Sequence, residues 1–283
     1  MVNKQRPNTG VDDSFLSADI VLCCGEDWNE LLLALSNVTS EWAHLYHEYR
    51  CYRISKFPQF SLIWSGMGTA CVEPLLYELR SASFIRNIVL IGTAGATSTK
   101  RVRLGEVYIA KPAFLAGTAV KTLIQTLPLV PRFPKIMLAK TNLRTVSIAS
   151  TDYYYGFSTD ADSETLRAED LSLRQAVNIL FNSVDLIDME TAQFYYFCEK
   201  LFDPDKLNYV AVKGAANFVT EPASQTTNSL TVLQTAVAAS FDLLDLLKQP
   251  AYIDVVTQAN VVPKEASTSK LAAKNITVRK GCF

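Results

Sequence analysis

Short, mostly apolar runs recur along the chain at residues 18–24, 60–64, 87–91, 106–110, 145–150, 184–188 and 208–213. Runs of this length, apolar almost throughout, predict strands buried on both faces. Between them lie segments of helical character. A Leu-rich stretch is opened by Glu26-Asp27-Trp28-Asn29-Glu30, and others cover residues 69–80, 190–201 and 230–247. Acidic residues in a first helical turn suit the positive end of the helix dipole. Strand, glycine, then helix, repeated, predicts one α/β domain with a mixed sheet. Residues 111–144 resist a long helix because Pro112, Pro128, Pro131 and Pro134 interrupt them. The expected organisation is a polar leader at 1–17, the α/β domain at 18–249 and a C-terminal tail without periodicity at 250–283.

Composition narrows the class. The chain has 283 residues, 49% hydrophobic and 19% charged, enough apolar material for a sizeable core and too much for disorder. A formal net charge of -1 gives no bulk positive field to gather nucleic acid or anionic membrane. The cysteines Cys23, Cys24, Cys51, Cys71, Cys198 and Cys282 form no CxxC pair and lie mostly in apolar runs, which reads as free thiols in a reducing compartment. His44 and His47 are the only histidines, so no metal site is expected. No secretory signal is legible, and the cytoplasm is the expected location.

Three strand runs lead into glycines: Gly25, Gly66-Met67-Gly68 and Gly92-Thr93-Ala94-Gly95. Glycine permits positive φ and lets a ligand approach the backbone. In α/β sheets, ligands gather beyond the carboxyl ends of strands, where exposed N–H groups suit anions and sugar hydroxyls. Any one of these glycines alone reads as a tight strand exit; three at successive strands read as a site. None is a dinucleotide fingerprint, since Cys71 stands where a third glycine belongs, and no Walker pattern exists.

The order of these motifs, followed by Asp188-Met189-Glu190 and by residues 212–217, resembles the nucleoside phosphorylase and nucleosidase superfamily. The resemblance covers roughly residues 18–247. It implies a single three-layer α/β domain whose mixed, partly barrel-like central sheet is flanked by helices. It implies cleavage of the N-glycosidic bond of a small-molecule nucleoside, without a cofactor, by water or with inorganic phosphate as co-substrate. It also implies a homo-oligomer: dimer, trimer or hexamer. Glu190 would accept hydrogen bonds from ribose hydroxyls, with Met189 packed on the sugar and Thr93 beside it. Gly25, Gly68, Thr93 and His47 would surround the phosphate or water. The bond breaks through an oxocarbenium-like state, where a fixed carboxylate is worth more than in the ground state. The structural alternative is that Asp188 and Glu190 only cap the next helix.

Several positions depart from the family pattern. Phosphorylases hold phosphate with arginines; the matching positions here are Asn29 and Leu90, while His47, Arg50 and Arg53 compete for a third, contributed by a neighbouring subunit. Without charge-assisted bonds a phosphate dianion binds less well, which favours water as the nucleophile. The nucleosidases' Glu falls on Asn29, so Glu30 would activate water only across a one-residue slip, a rotation of about 100° on a helix. Asn217 stands where adenine nucleosidases place an Asp that protonates the purine. An amide can donate to a 6-oxopurine or pyrimidine carbonyl but supplies no acid proton. Tyr154 and Tyr155 are candidates to stack on the base, or to pack in the core or at a subunit interface. Hydrolysis is therefore expected ahead of phosphorolysis, with a catalytically impaired nucleoside-binding relative as the third reading.

Overall fold

The computed structural model describes residues 6–24, 27–38, 45–49, 52–97, 101–115, 128–151, 183–219 and 225–248. Contacts divide the chain into Met1–Leu246, which carries every strand among the described residues, and Leu247–Phe283. The tail expected at 250–283 lies outside the described residues.

The apolar runs become strands: β1 (Asp19–Cys24), β4 (Ser61–Ser65), β5 (Asn87–Ala96), β6 (Val107–Leu115), β7 (Arg144–Ser150), β8 (Leu186–Asp188) and β9 (Asn208–Phe218). The helices are α1 (Trp28–Val38), α2 (Thr69–Leu79), α3 (Lys135–Lys140), α4 (Thr191–Leu201) and α5 (Gln225–Leu247). A hairpin, β2 (Leu45–Tyr49) and β3 (Tyr52–Lys56), adds two strands that the apolar pattern does not announce, because Tyr46, His47, Glu48, Arg53 and Lys56 break it.

The sheet order is β2-β3-β4-β1-β5-β8-β7-β6-β9, and β9 also pairs with β5. The strands β5, β8, β7, β6 and β9 thereby close on themselves, while β2, β3, β4 and β1 extend the sheet from the same β5. The result is a mixed α/β architecture, a partly barrel-like sheet flanked by helices. Within it β4, β1, β5 and β9 run parallel.

Two strands outrun their expected ends, and both extensions matter. Gly92-Thr93-Ala94-Gly95 is not a turn after β5 but part of it: all four residues pair with β9, and Gly95 also pairs with Ile187 of β8. The β5–β9 register slips between Ala94 and Gly95, a bulge of the kind that bends a strand and lets a barrel close. β9 likewise runs on through Asn217, which pairs with Gly95 instead of standing on a loop. α5 packs across β9 at Gly214, where a β-carbon would collide with Val232. In β6, Pro112 sits inside the strand, where the β6–β7 register shifts, instead of ending it.

The core is one apolar cluster that includes Ile20, Leu22, Ile88, Leu90, Ile148, Leu186, Phe194, Tyr195 and Tyr209. The polar start of the chain is tied to it. Val11 and Leu16 are buried, and the Glu78 carboxylate of α2 accepts bonds from Asn8 N (2.7 Å), Thr9 N (3.0 Å) and Thr9 Oγ1 (2.7 Å). Residues 229–247 of α5 are the one described segment long and apolar enough to cross a membrane by length and composition; half of that window is buried inside the protein.

Candidate functional site

Glu190 directly precedes α4, and the residue is 4% exposed. Its Oε1 accepts a 2.9 Å hydrogen bond from the backbone N–H of Gly68, and its Oε2 lies 3.4 Å from Lys213 Nζ. Gly68 leads into α2 with φ 88°, a backbone region that side-chain-bearing residues avoid, so glycine is what lets this N–H face Glu190. Two features singled out in the sequence, the Gly66-Met67-Gly68 turn and the Asp188-Met189-Glu190 motif, are thus joined by one bond across 122 positions of chain.

Lys213 is fully buried in β9, beside Gly92 in the strand register. Its ammonium lies 3.0 Å from Asp188 Oδ2, closer than to Glu190. Asp188 has further partners: the Ser150 hydroxyl, the Thr191 hydroxyl, and Thr191 N at 3.1 Å. Asp188 therefore does cap α4, as the structural alternative has it, and also neutralises a buried cation. Asp188 and Lys213 form the primary pair, and Glu190 is the second carboxylate on one ammonium.

The electrostatics follow this ranking. Burial drives the Glu190 pKa up, and the negative Asp188 adds to it; Lys213 and the Gly68 N–H pull the other way without reversing it. Burial alone would lower the Lys213 pKa, but Asp188 and Glu190 outweigh it and hold the ammonium charged well above the ordinary lysine value. At the end of β1, Cys24 accepts a 3.1 Å bond from Ser65 Oγ. Burial, with Glu190 nearby, pushes its thiol pKa far up, so it is a neutral wall of the site and not a nucleophile.

The remaining sequence candidates divide into those near this cluster and those elsewhere. Thr93, half-buried, pairs in register with Gly214, one residue beyond Lys213. Asn217 lies four residues beyond Lys213 on β9; its Nδ2 donates to the Phe218 carbonyl at 3.1 Å, and its Oδ1 is 3.8 Å from where a Gly95 β-carbon would be. Met189, between the two acids, is half-buried. Glu30 stands in the first turn of α1, where its N–H and that of Asn29 bond to Asp27 Oδ1, making Asp27 the helix cap. Asn29 is exposed and Leu90 fully buried.

His47 is on the edge strand β2, with its ring 5.1 Å from Phe15 and 6.4 Å from Tyr49 and its Nε2 buried without a hydrogen-bond partner. It packs on the chain's own N-terminal segment. Arg53 lies over Trp64 (5.2 Å) and Trp28 (5.7 Å) and pairs with Glu48 at 3.0 Å. Gly25, Arg50, Tyr154 and Tyr155 lie outside the described residues.

Lys213 is the residue that the sequence reading passes over. Its signal was present: a lysine closing the run Tyr209-Val210-Ala211-Val212, in a strand apolar on both faces, needs a buried counter-charge. Among the described residues no group of His, Cys, Asp and Glu is arranged to hold a metal ion.

Comparison with known proteins places the fold. The fold is similar to futalosine hydrolase of Helicobacter pylori strain 26695 (TM-score 0.59, 12% identity, 81% of this chain and 98% of that one). It is similar to a 5′-methylthioadenosine/S-adenosylhomocysteine nucleosidase of Colwellia psychrerythraea 34H (0.59, 13%, 82% and 97%). It is also similar to purine nucleoside phosphorylase of Toxoplasma gondii (0.62, 14%, 88% and 99%). No curated protein matches by sequence. The model of the phosphorylase superfamily matches residues 19–249, so the chain belongs to the phosphorylase superfamily, a family of nucleoside-cleaving enzymes.

Proposed function

We propose that this protein hydrolyses the N-glycosidic bond of a nucleoside, with Glu190 holding the ribose hydroxyls. The observation that carries this reading is the buried Glu190 carboxylate, bonded to the Gly68 N–H on one oxygen and facing Lys213 on the other. A carboxylate offers about four lone-pair sites, so both oxygens retain room for sugar hydroxyls. Positive charge develops on the sugar as the C–N bond breaks, and an anion already fixed in a dry pocket stabilises that state more than the ground state. Thr93 stands beside the same sugar. Asn217 donates to a carbonyl of the leaving base, and Tyr154 and Tyr155 cover its face.

Water is the proposed nucleophile because the resemblance matches Asn29 and Leu90 to positions at which phosphorylases carry arginine; Glu30 is the proposed base for it. The working unit is proposed to be a homo-oligomer, on the resemblance. Release of free base from adenosine, inosine and uridine, with and without phosphate, tests the reading. Base release independent of phosphate, and lost in Glu190→Ala, is the expected result. Release only with phosphate would make the chain a phosphorylase. A nucleoside that raises Tm without any base release would make it a binding relative.

A further inference from the structure

A concavity lies beside the first residue of β9. It is a cleft of roughly 380 Å³ whose lining includes Lys111 of β6, Arg132, Phe133, Lys135, Leu138 and Asn208. Asn208 opens β9 and Lys213 lies five residues further on, which along a strand is about 17 Å. The cleft is therefore separate from the Glu190 cluster.

Its charge is one-sided. Three cations from two stretches of chain, Lys111 on one and Arg132 and Lys135 on the other, reach it, and no carboxylate is among its described lining residues. None of the three forms an ion pair with a carboxylate among the described residues. Asp203, which feels Arg132, is committed to Lys206 Nζ at 3.0 Å. The Arg132 guanidinium is held over the Tyr209 ring at 5.5 Å, and its Nη1 is buried without a hydrogen-bond partner. A buried guanidinium donor left without an acceptor is costly, and an oxyanion supplies that acceptor together with the missing charge. The Asn208 amide donates to Asn87 Oδ1 at 2.9 Å, so the cations and not this donor would hold the anion. The rest of the described lining, Val130, Pro131, Phe133, Pro134 and Leu138, is apolar. A mostly apolar cleft of this size with a few convergent polar groups has the character of a small-molecule site.

We propose that this cleft binds a small organic anion, a single ring or short apolar skeleton bearing a carboxylate or phosphate, with Arg132 as the principal anchor and Lys111 and Lys135 completing the charge. The site is independent of the glycosidic-bond chemistry. Calorimetric titration of the full-length protein with phenyl phosphate, benzoate and the neutral benzyl alcohol tests it. Phenyl phosphate, benzoate or both should bind, with benzyl alcohol at least tenfold weaker. Removing two cations in Lys111→Met/Lys135→Met should weaken the bound anion by about tenfold or more, and Arg132→Met should do the same. Because Arg132 also packs on Tyr209, the double lysine variant keeps the test valid if Arg132→Met does not fold. Glu190→Ala should leave the affinity unchanged. Equal binding of benzyl alcohol, no binding of either anion, or anion binding insensitive to the lysine variant but abolished by Glu190→Ala would each overturn the proposal.

Discussion

One ammonium serving two buried carboxylates makes Lys213 the most consequential single residue of the cluster. Replacing it with Met leaves Asp188 and Glu190 without their shared counter-ion. Breaking a buried pair by removing one partner typically costs about 3–5 kcal/mol. Lys213→Met should therefore be strongly destabilised in urea at neutral pH, and the deficit should shrink in acid as Glu190, whose pKa burial raises, takes up a proton. A deficit that does not depend on pH would contradict the ion-pair account. Glu190 makes the complementary case. Burial raises its folded-state pKa, so its contribution to stability is complete below its unfolded pKa and is lost as pH rises through the raised folded value. Glu190→Gln, which stays neutral, should gain on the wild type from mildly acidic to neutral pH while losing base release. If the ionised form is the working one, kcat/KM for base release should carry an acid limb above the ordinary carboxylate range. An acid limb at the ordinary value would remove Glu190 from that role.

At the scale of elements, the position of Glu190 depends on how α4 is seated. Tyr195, fully buried on α4, donates its hydroxyl to the Ala110 carbonyl of β6 at 2.7 Å and accepts from Ala211 N of β9 at 2.9 Å. Burial raises its pKa far beyond the ordinary tyrosine value, so the hydroxyl stays protonated as this bridge requires. The one group thus ties the helix that begins at Glu190 to two strands of the closed sheet, and its ring packs on Phe194 and Tyr209. Tyr195→Phe preserves the ring and orphans a buried carbonyl and a buried N–H. A loss of about 1–3 kcal/mol is expected, read as a lower urea midpoint with an unchanged slope. A shift of less than a few tenths would show that the bridge is not what seats α4. The hairpin of β2 and β3 behaves differently: it extends the sheet at an edge, and its polar residues His47, Glu48 and Arg53 are used in packing and surface pairing.

At the scale of the molecule, the strands read from apolar runs and the helices read from their periodicity account for most of the elements. What escaped is instructive. Gly92-Thr93-Ala94-Gly95 and Asn217 looked like turn and loop because glycine and polar residues end strands in the average protein. Here they continue β5 and β9, because a sheet that closes needs small residues where it bends and a partner strand on both sides. The pairing of Gly68 with Glu190, and of Lys213 with Asp188, joins residues 122 and 25 positions apart, the second number being the difference between 213 and 188. No local pattern carries such information, since it depends on which strands become neighbours. By itself the sequence determined the α/β class, the run of buried strands and the family, because periodicity and motif order are properties of neighbouring residues along the chain. Only the tertiary structure decided that the sheet closes through β5 and β9, that Asp188 both caps α4 and neutralises Lys213, and that Glu190 shares that lysine, because burial and charge compensation exist only once distant segments have met.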